Sequence, residues 1–143
     1  MPRCRSTGAS CAHSAPAEQG WHPWAVLQHV SLEVAPDQVP RTVEFWSLIG
    51  FQPTKAPEPI APFVTWLQRD GTQIHLIHTE DATAPPLGHS AVVVEDFDAA
   101  VQGLRDAGFE FEEAQELWGA RRGFAVAPGD HKVELMASPP PTD

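Results

Sequence analysis

The chain has 143 residues, a formal net charge of −10 at pH 7 and a sequence pI near 5.0. This acidic balance, with neither a basic patch nor a basic helix, argues against nucleic acid or an anionic membrane as a partner. No apolar run approaches the roughly 18 residues of a membrane span, and the length suits one hydrophobic core. We therefore expect a single soluble domain.

The two ends of the chain differ in composition from its middle. Residues 1–24 carry Ser, Ala, Gly and Pro between scattered charges with no hydrophobic period, and we interpret them as a mobile tail. They lack the apolar middle region of a secretory signal, so we expect a cytoplasmic protein. The domain is expected to span residues 25–138, with one module at 25–82 and another at 87–138, followed by a tail at 139–143.

The first half of the domain is predicted to form a strand, a helix and three further strands. A strand at 28–34 precedes apolar residues at helical spacing, which are Val39, Val43, Trp46 and Ile49. The pair Gly50-Phe51 follows, where glycine suits the left-handed end of a helix and the aromatic residue begins the next strand. A strand within 63–68, a turn at Asp70-Gly71 and a strand at 73–77 complete the unit.

The second half repeats this order. A strand at 88–94 precedes a second set of apolar residues at helical spacing, which are Phe97, Ala100, Val101, Leu104 and Ala107. Gly108-Phe109, a strand at 123–127, a turn at Gly129-Asp130 and a strand at 132–136 then follow. We predict an α+β fold that uses a β-α-β-β-β module twice.

Four residues with metal-binding side chains lie within otherwise apolar strands: His29, His75, His89 and Glu134. Because successive strand side chains point to opposite sheet faces, each of the four lies on one face while its apolar neighbours occupy the other. His29 and His75 are 46 residues apart and His89 and Glu134 are 45 apart, as a repeat would place them. Burying such groups without partners costs roughly 1–3 kcal/mol each. We predict that they bind one divalent transition metal, which could be Fe, Ni, Co, Zn or Mn.

These residues resemble the vicinal oxygen chelate superfamily, which includes glyoxalase I, extradiol dioxygenases, fosfomycin-resistance thiol transferases and bleomycin-binding proteins. The resemblance covers about residues 27–137 and is most specific at 29–34, 88–94, 118–122 and 128–136. It implies a cup-shaped, mostly antiparallel sheet with helices on its outer face. It also implies that the first and last strands of each module supply the metal ligands, at His29, His75, His89 and Glu134. Small relatives are commonly homodimers, so we expect a homodimer.

The alternation of side chains between the two faces of a strand, here called strand parity, also predicts which residues lie near the metal. Seven residues share the ligand-bearing faces: Ser31, Gln73, Ile77, Ala91, Val93, Lys132 and Met136. Trp66 and Trp118 are the better pocket candidates among the tryptophans. Arg121 and Arg122, predicted in the loop before the strand at 123–127, form either an anion clamp for a substrate carboxylate or phosphate or a solvated basic turn.

The predicted chemistry follows from what such a metal can do. A divalent ion with open positions binds a small substrate through adjacent oxygens and stabilises an oxyanion or enediolate. With Glu134 as the candidate catalytic base, we expect a glyoxalase-like lyase or isomerase that works by Lewis-acid proton transfer. One alternative is a non-haem Fe(II) extradiol-type dioxygenase that uses only His29, His89 and Glu134 as ligands. Another is a non-catalytic protein that binds an antibiotic or other small molecule.

Overall fold

A computed structural model describes residues 27–142, so the predicted tail at 1–24 lies outside the described residues. The first module consists of β1 (His29–Val34), a short 3-10 helix (Pro36–Gln38), α1 (Val39–Leu48), β2 (Gln52–Thr54), β3 (Val64–Arg69) and β4 (Thr72–His78). The second consists of β5 (His89–Val93), α2 (Phe97–Asp106), β6 (Phe111–Leu117), β7 (Ala120–Ala127) and β8 (His131–Met136). The predicted β-α-β-β-β unit is therefore present twice.

The strands form two four-stranded sheets with the same topology. Their orders are β1-β4-β3-β2 and β5-β8-β7-β6. In each sheet the first and last strands of the module pair in parallel, and the remaining pairs are antiparallel. The predicted α+β class with mostly antiparallel strands is confirmed.

Both helices end as the sequence predicts, on a glycine followed by phenylalanine. Gly50 has φ 97° and Gly108 has φ 80°, a conformation that glycine adopts without a side-chain clash. The following amides then bond back five residues, from Phe51 to the carbonyl of Trp46 (3.0 Å) and from Phe109 to that of Leu104 (2.9 Å). These bonds satisfy carbonyls that the helix leaves without partners.

One strand begins earlier than predicted. Trp118 (φ 44°) and Gly119 (φ 71°) form a two-residue turn, so β7 starts at Ala120 rather than at Gly123. Such turns match the twist of the strands that they join and let pairing begin at once. The prediction of a loop at Arg121 and Arg122 is therefore wrong, because both residues lie in β7.

A single hydrophobic core serves both modules. It contains helix residues such as Phe45 and Leu104 together with strand residues such as Leu76 and Leu135. The ring of Phe45 meets that of Phe109 edge to face, with centroids 5.2 Å apart, so α1 packs against the end of α2. Because the core is built on the helix-bearing face of each sheet, the opposite face of each sheet lies outside the core.

The modules are also joined by hydrogen bonds. His131 Nε2 bonds the carbonyl oxygen of Glu33 at 2.7 Å, and the guanidinium of Arg41 donates to the carbonyl of Ala107. His131 is buried, so this hydrogen bond lies inside the fold. No helix within the described residues is both long and apolar enough to cross a membrane.

Candidate metal centre

The four predicted ligands lie in two pairs, one on each sheet. His29 and His75 come from the parallel strands β1 and β4, while His89 and Glu134 come from β5 and β8. Both pairs occupy the sheet face that does not enter the shared core. Within residues 27–142, no three His, Cys, Asp or Glu side chains are grouped so that they could hold one metal ion. Within one chain the predicted ligands therefore form two separate pairs. We call His29 and His75 the first half-site, and His89 and Glu134 the second half-site.

The second half-site is a charged network around Glu134. The two carboxylate oxygens of Glu134 have separate partners: Oε2 bonds Nε2 of His89 at 3.1 Å, and Oε1 accepts from Nη1 of Arg122 at 2.9 Å. The Arg122 and Glu134 side chains are only 17% and 11% exposed. Arg122 is held in turn by its Nε, which donates to the carbonyl of Gln115 at 3.0 Å. The carboxylate is thus fixed beside the His89 ring.

The spacing of His89 and Glu134 fits a shared metal ion. Two ligand atoms that each lie about 2.1 Å from one ion, at roughly a right angle, are about 3.0 Å apart. The observed separation between His89 Nε2 and Glu134 Oε2 is 3.1 Å. These two atoms can therefore become neighbouring ligands with little movement. Together with the two other imidazoles, they make a donor set that suits a divalent transition metal.

The first half-site is a stack of aromatic rings rather than an ion-pair network. The imidazole of His75 lies between that of His29 and the indole of Trp66, with ring centroids 4.2 Å apart on each side. The planes of Trp66 and His75 differ by only 3°. Trp66 is the antiparallel partner of His75 across β3 and β4, which places the two rings on one face.

Glutamine side chains form hydrogen bonds with ring nitrogens of both histidines. His75 Nε2 lies 2.8 Å from Oε1 of Gln73, whose Nε2 donates to Gln68 at 3.1 Å. His29 Nδ1 lies 2.6 Å from Oε1 of Gln28. Burial lowers the pKa of His75 below its usual 6.5, and the neighbouring His29 lowers it further. A lowered pKa favours the neutral form that metal binding requires.

Most of the predicted pocket residues lie on the two ligand-bearing faces. Ser31 pairs with His75 across β1 and β4, and Gln73 and Ile77 flank His75 on β4. On the second sheet, Ala91 pairs with Glu134. The same face carries Val93, Lys132, Met136 and Arg122.

Arg121 and Trp118 lie elsewhere. Arg121 points to the helix side of its sheet, where it pairs with Asp98 and Glu113 and lies 4.7 Å above the Phe97 ring. Its hydrogen bonds to these carboxylates, to Asp98 above all, raise its pKa. Adjacent strand residues face opposite ways, so Arg121 and Arg122 cannot form the single anion clamp that the sequence suggested. Trp118 is at the tip of the β6–β7 turn and is 43% exposed.

Two cavities adjoin His89. The smaller, of about 430 Å³, opens on the ligand-bearing face of the second sheet, and it is lined by Leu87, His89, Glu110, Phe111, Glu112, Phe124, Val126 and Lys132. The larger, of about 720 Å³, runs between strand β5 and helix-side residues of the first sheet such as Val30 and Ile74. Ala91 and Val93 of the ligand-bearing face also line the larger cavity. The smaller one includes Phe124, the strand partner of Glu134, so it is the better candidate for a substrate.

The sequence interpretation missed Phe124, which is the antiparallel partner of Glu134. Its ring meets the imidazole of His89 edge to face, with centroids 5.2 Å apart. Parity along β7 fixes which residues share a face, but it does not reveal which residue of a neighbouring strand lies opposite. That register depends on the turn at residues 128–130, whose length the sequence does not specify uniquely.

The sequence profile of the Glyoxalase/Bleomycin resistance protein/Dioxygenase superfamily matches residues 26–141. None of the curated proteins compared matches the chain. Solved structures do match, and one is a glyoxalase family protein from Bacillus anthracis. It is 20% identical with a TM-score of 0.69, over 77% of this chain and 92% of the other.

A second group of similar structures belongs to FosX, a fosfomycin resistance protein from Listeria monocytogenes. One crystal form is 16% identical with a TM-score of 0.66, over 80% of this chain and 92% of the other. A mutant of FosX was solved in complex with Mn(II) and 1S,2S-dihydroxypropylphosphonic acid; it is 18% identical with a TM-score of 0.65, over 80% and 91% of the two chains. At such identities these likenesses show a shared fold.

Proposed function

This chain belongs to the Glyoxalase/Bleomycin resistance protein/Dioxygenase superfamily, and on that premise we propose that it is a metal-dependent enzyme acting on a small oxygen-chelating substrate. The proposed reaction class is proton transfer, as in a lyase or isomerase. The proposed ligands are His29, His75, His89 and Glu134. A bound divalent ion would supply Lewis-acid stabilisation of a developing oxyanion.

The observation that carries the proposal is the arrangement around Glu134. A carboxylate that is nine-tenths buried on the open face of a sheet lies at ligand spacing from an imidazole, and a guanidinium holds its other oxygen. Ligating carboxylates in metal sites are commonly held by such an additional hydrogen bond.

We further propose that two copies of the chain complete the site. The shared core directs both ligand-bearing faces outward, and these faces carry exposed or half-buried apolar side chains such as Val93, Ile77 and Phe124. If the first sheet of one copy covers the second sheet of another, the two half-sites meet and the apolar faces are buried. This supports the predicted homodimer.

Within this site, Glu134 acts better as a ligand than as a base. One carboxylate oxygen is bonded to Arg122 and the other faces His89. Both oxygens of Glu134 thus already have a partner, and a substrate proton would compete with Arg122 or His89 for them. The assignment of Glu134 as catalytic base stays a prediction, and the neutral imidazole of His75 is a second candidate for accepting a proton.

The surroundings of His75 favour one alternative function. Its ring is covered on both faces and is bonded at Nε2, so His29, His89 and Glu134 could act without it. That set is the two-histidine, one-carboxylate triad of non-haem Fe(II) oxygenases. Tight Fe(II) binding by a His75→Ala variant, together with oxygen uptake on catechols, would favour the dioxygenase. A protein that retains no metal would favour the non-catalytic binder.

The proposal is tested by elemental analysis of the full chain purified without chelator. We expect one transition-metal ion per chain in the wild type, and none in a His89→Ala/Glu134→Ala variant. The matched control is Glu95→Gln. It removes one negative charge from a groove that is lined by Leu48 and Ala99 of the two helices and lies away from the ligand-bearing face. Equal metal content in the wild type and the double variant would overturn the ligand assignment.

A further inference from the structure

A groove leads from the second half-site across its sheet. We call it the Phe124 groove, and define it by Leu87, Glu110, Glu112, Phe124, Val126 and Lys132. Two rows of paired residues form its floor. One row runs from Ala91 through Glu134 and Phe124 to Glu112, and the other from His89 through Lys132 to Val126. The groove therefore begins at the proposed metal ligands and ends at β6.

The dimensions of the groove follow from the strand spacing. Neighbouring strands lie about 4.8 Å apart, so Glu134 on β8 and Glu112 on β6 are separated by roughly 10 Å across β7. The middle of this path is apolar, because it passes over the Phe124 ring and beside Val126 and Leu87. Leu87 is 83% exposed and stands beside the groove as an apolar wall. A six-membered ring with a short substituent fits this length.

The charges differ between the two ends of the groove. Arg122, the guanidinium on this face, is bound to Glu134 at the inner end. The outer end carries the exposed carboxylates of Glu110 and Glu112. Lys132 lies nearer to His89, its parallel-strand partner, and its ammonium donates to the carbonyl of Pro86 at 3.3 Å. We call the part of a substrate that extends away from the metal ligands its arm. An arm that reaches β6 thus ends beside two negative charges.

We propose that the Phe124 groove selects substrates whose chelating oxygens are joined to an apolar arm with a positively charged or neutral end. This inference rests on the proposed function, since the chelating end must bind at the metal ligands. It excludes substrates with an anionic arm as the preferred class.

Three catechols with the same chelating end test the inference. Dopamine carries a cationic arm, 4-ethylcatechol a neutral arm and 3,4-dihydroxyphenylacetate an anionic arm. Their affinities for the full chain loaded with Zn²⁺ are measured by calorimetry under argon, because Zn²⁺ has no redox chemistry and will not oxidise the probes. We expect dopamine to bind about fivefold to tenfold more tightly than the anionic catechol, with 4-ethylcatechol between them, given the modest strength of exposed charge pairs.

Variants assign the effect to the groove. The Glu110→Gln/Glu112→Gln double variant should bind dopamine and the anionic catechol almost equally, whereas Glu95→Gln should keep the wild-type preference. Phe124→Leu should weaken binding of 4-ethylcatechol to the Zn²⁺-loaded chain, because it removes the aromatic floor of the groove. High salt should reduce the preference, because it screens exposed charges.

The outcomes separate this inference from the proposed function. If the three catechols bind equally, or the anionic one binds best, the inference is overturned while the metal site stands. If the preference persists in the double variant, the two glutamates are not its cause and the inference also fails. If none of the catechols binds in the presence of Zn²⁺, and Zn²⁺ itself is not retained, the proposed function fails and the inference fails with it.

Discussion

The two modules share one topology, but different interactions hold their pairs of candidate ligands in place. In the first module, His75 is stacked between Trp66 and His29, and its ring edge is bonded by an amide. In the second, Glu134 is fixed by Arg122 and faces His89. The same strand positions thus carry a stack of aromatic rings in one module and an ion-pair network in the other.

This difference indicates a division of labour between the half-sites. The second half-site would supply the negative charge, in a carboxylate that Arg122 already holds in place. The first would supply imidazole nitrogens, and burial lowers the pKa of His75. A metal centre built from both parts would combine charge neutralisation from one module with neutral ligands from the other.

The largest expected effect comes from removing the cation of the second half-site. Arg122→Leu leaves the largely buried carboxylate of Glu134 without its partner, so we expect the free energy of unfolding to fall by about 2–3 kcal/mol. Urea denaturation of metal-free protein measures this loss. Arg121→Leu is the matched control, since its ion pairs lie on the surface, and it should change stability little. Equal losses in the two variants would contradict the ionic account of this half-site.

Apolar spacing and turn residues predicted both modules, and the Gly-Phe pairs predicted the capped helix ends. Strand parity predicted the face on which each candidate ligand lies, because this depends on neighbours in sequence. It did not separate Arg121 from Arg122, since that required knowing that β7 begins at Ala120. Nor could it show that the helix-bearing faces share one core. Contacts such as that between Phe45 and Phe109 join distant parts of the chain, and local pattern does not encode them.

A smaller effect should follow from breaking the stack in the first half-site. Trp66→Leu keeps an apolar side chain but removes the indole from the face of His75. Aromatic pairs contribute about 0.5–1.5 kcal/mol beyond their buried area, so we expect metal affinity to fall roughly twofold to tenfold. Competition with a chelator of known affinity measures it. Trp118→Leu, at the exposed hairpin tip, should bind metal as the wild type does; a loss as large as that of Trp66→Leu would count against the stacking account.

The smallest expected effect concerns protonation of His75. Nuclear magnetic resonance titration of metal-free protein should place its pKa below the usual 6.5. His29→Ala should raise the pKa of His75 only in part, because burial is the larger cause. Since the folded chain then binds fewer protons than the unfolded chain, His75 makes stability fall as pH drops below 6.5. A pKa at or above that value would contradict the account of a buried, neutral ring.

The central claim is that the half-sites of two copies form one metal centre. It is tested most directly in a heterodimer of two differently tagged full-length variants, His29→Ala/His75→Ala and His89→Ala/Glu134→Ala. If the half-sites combine between copies, one of the two centres regains all four ligands, and the purified heterodimer should hold one metal ion while each variant alone holds none. A heterodimer that retains no metal, beside a wild-type dimer that retains two ions, would contradict the claim.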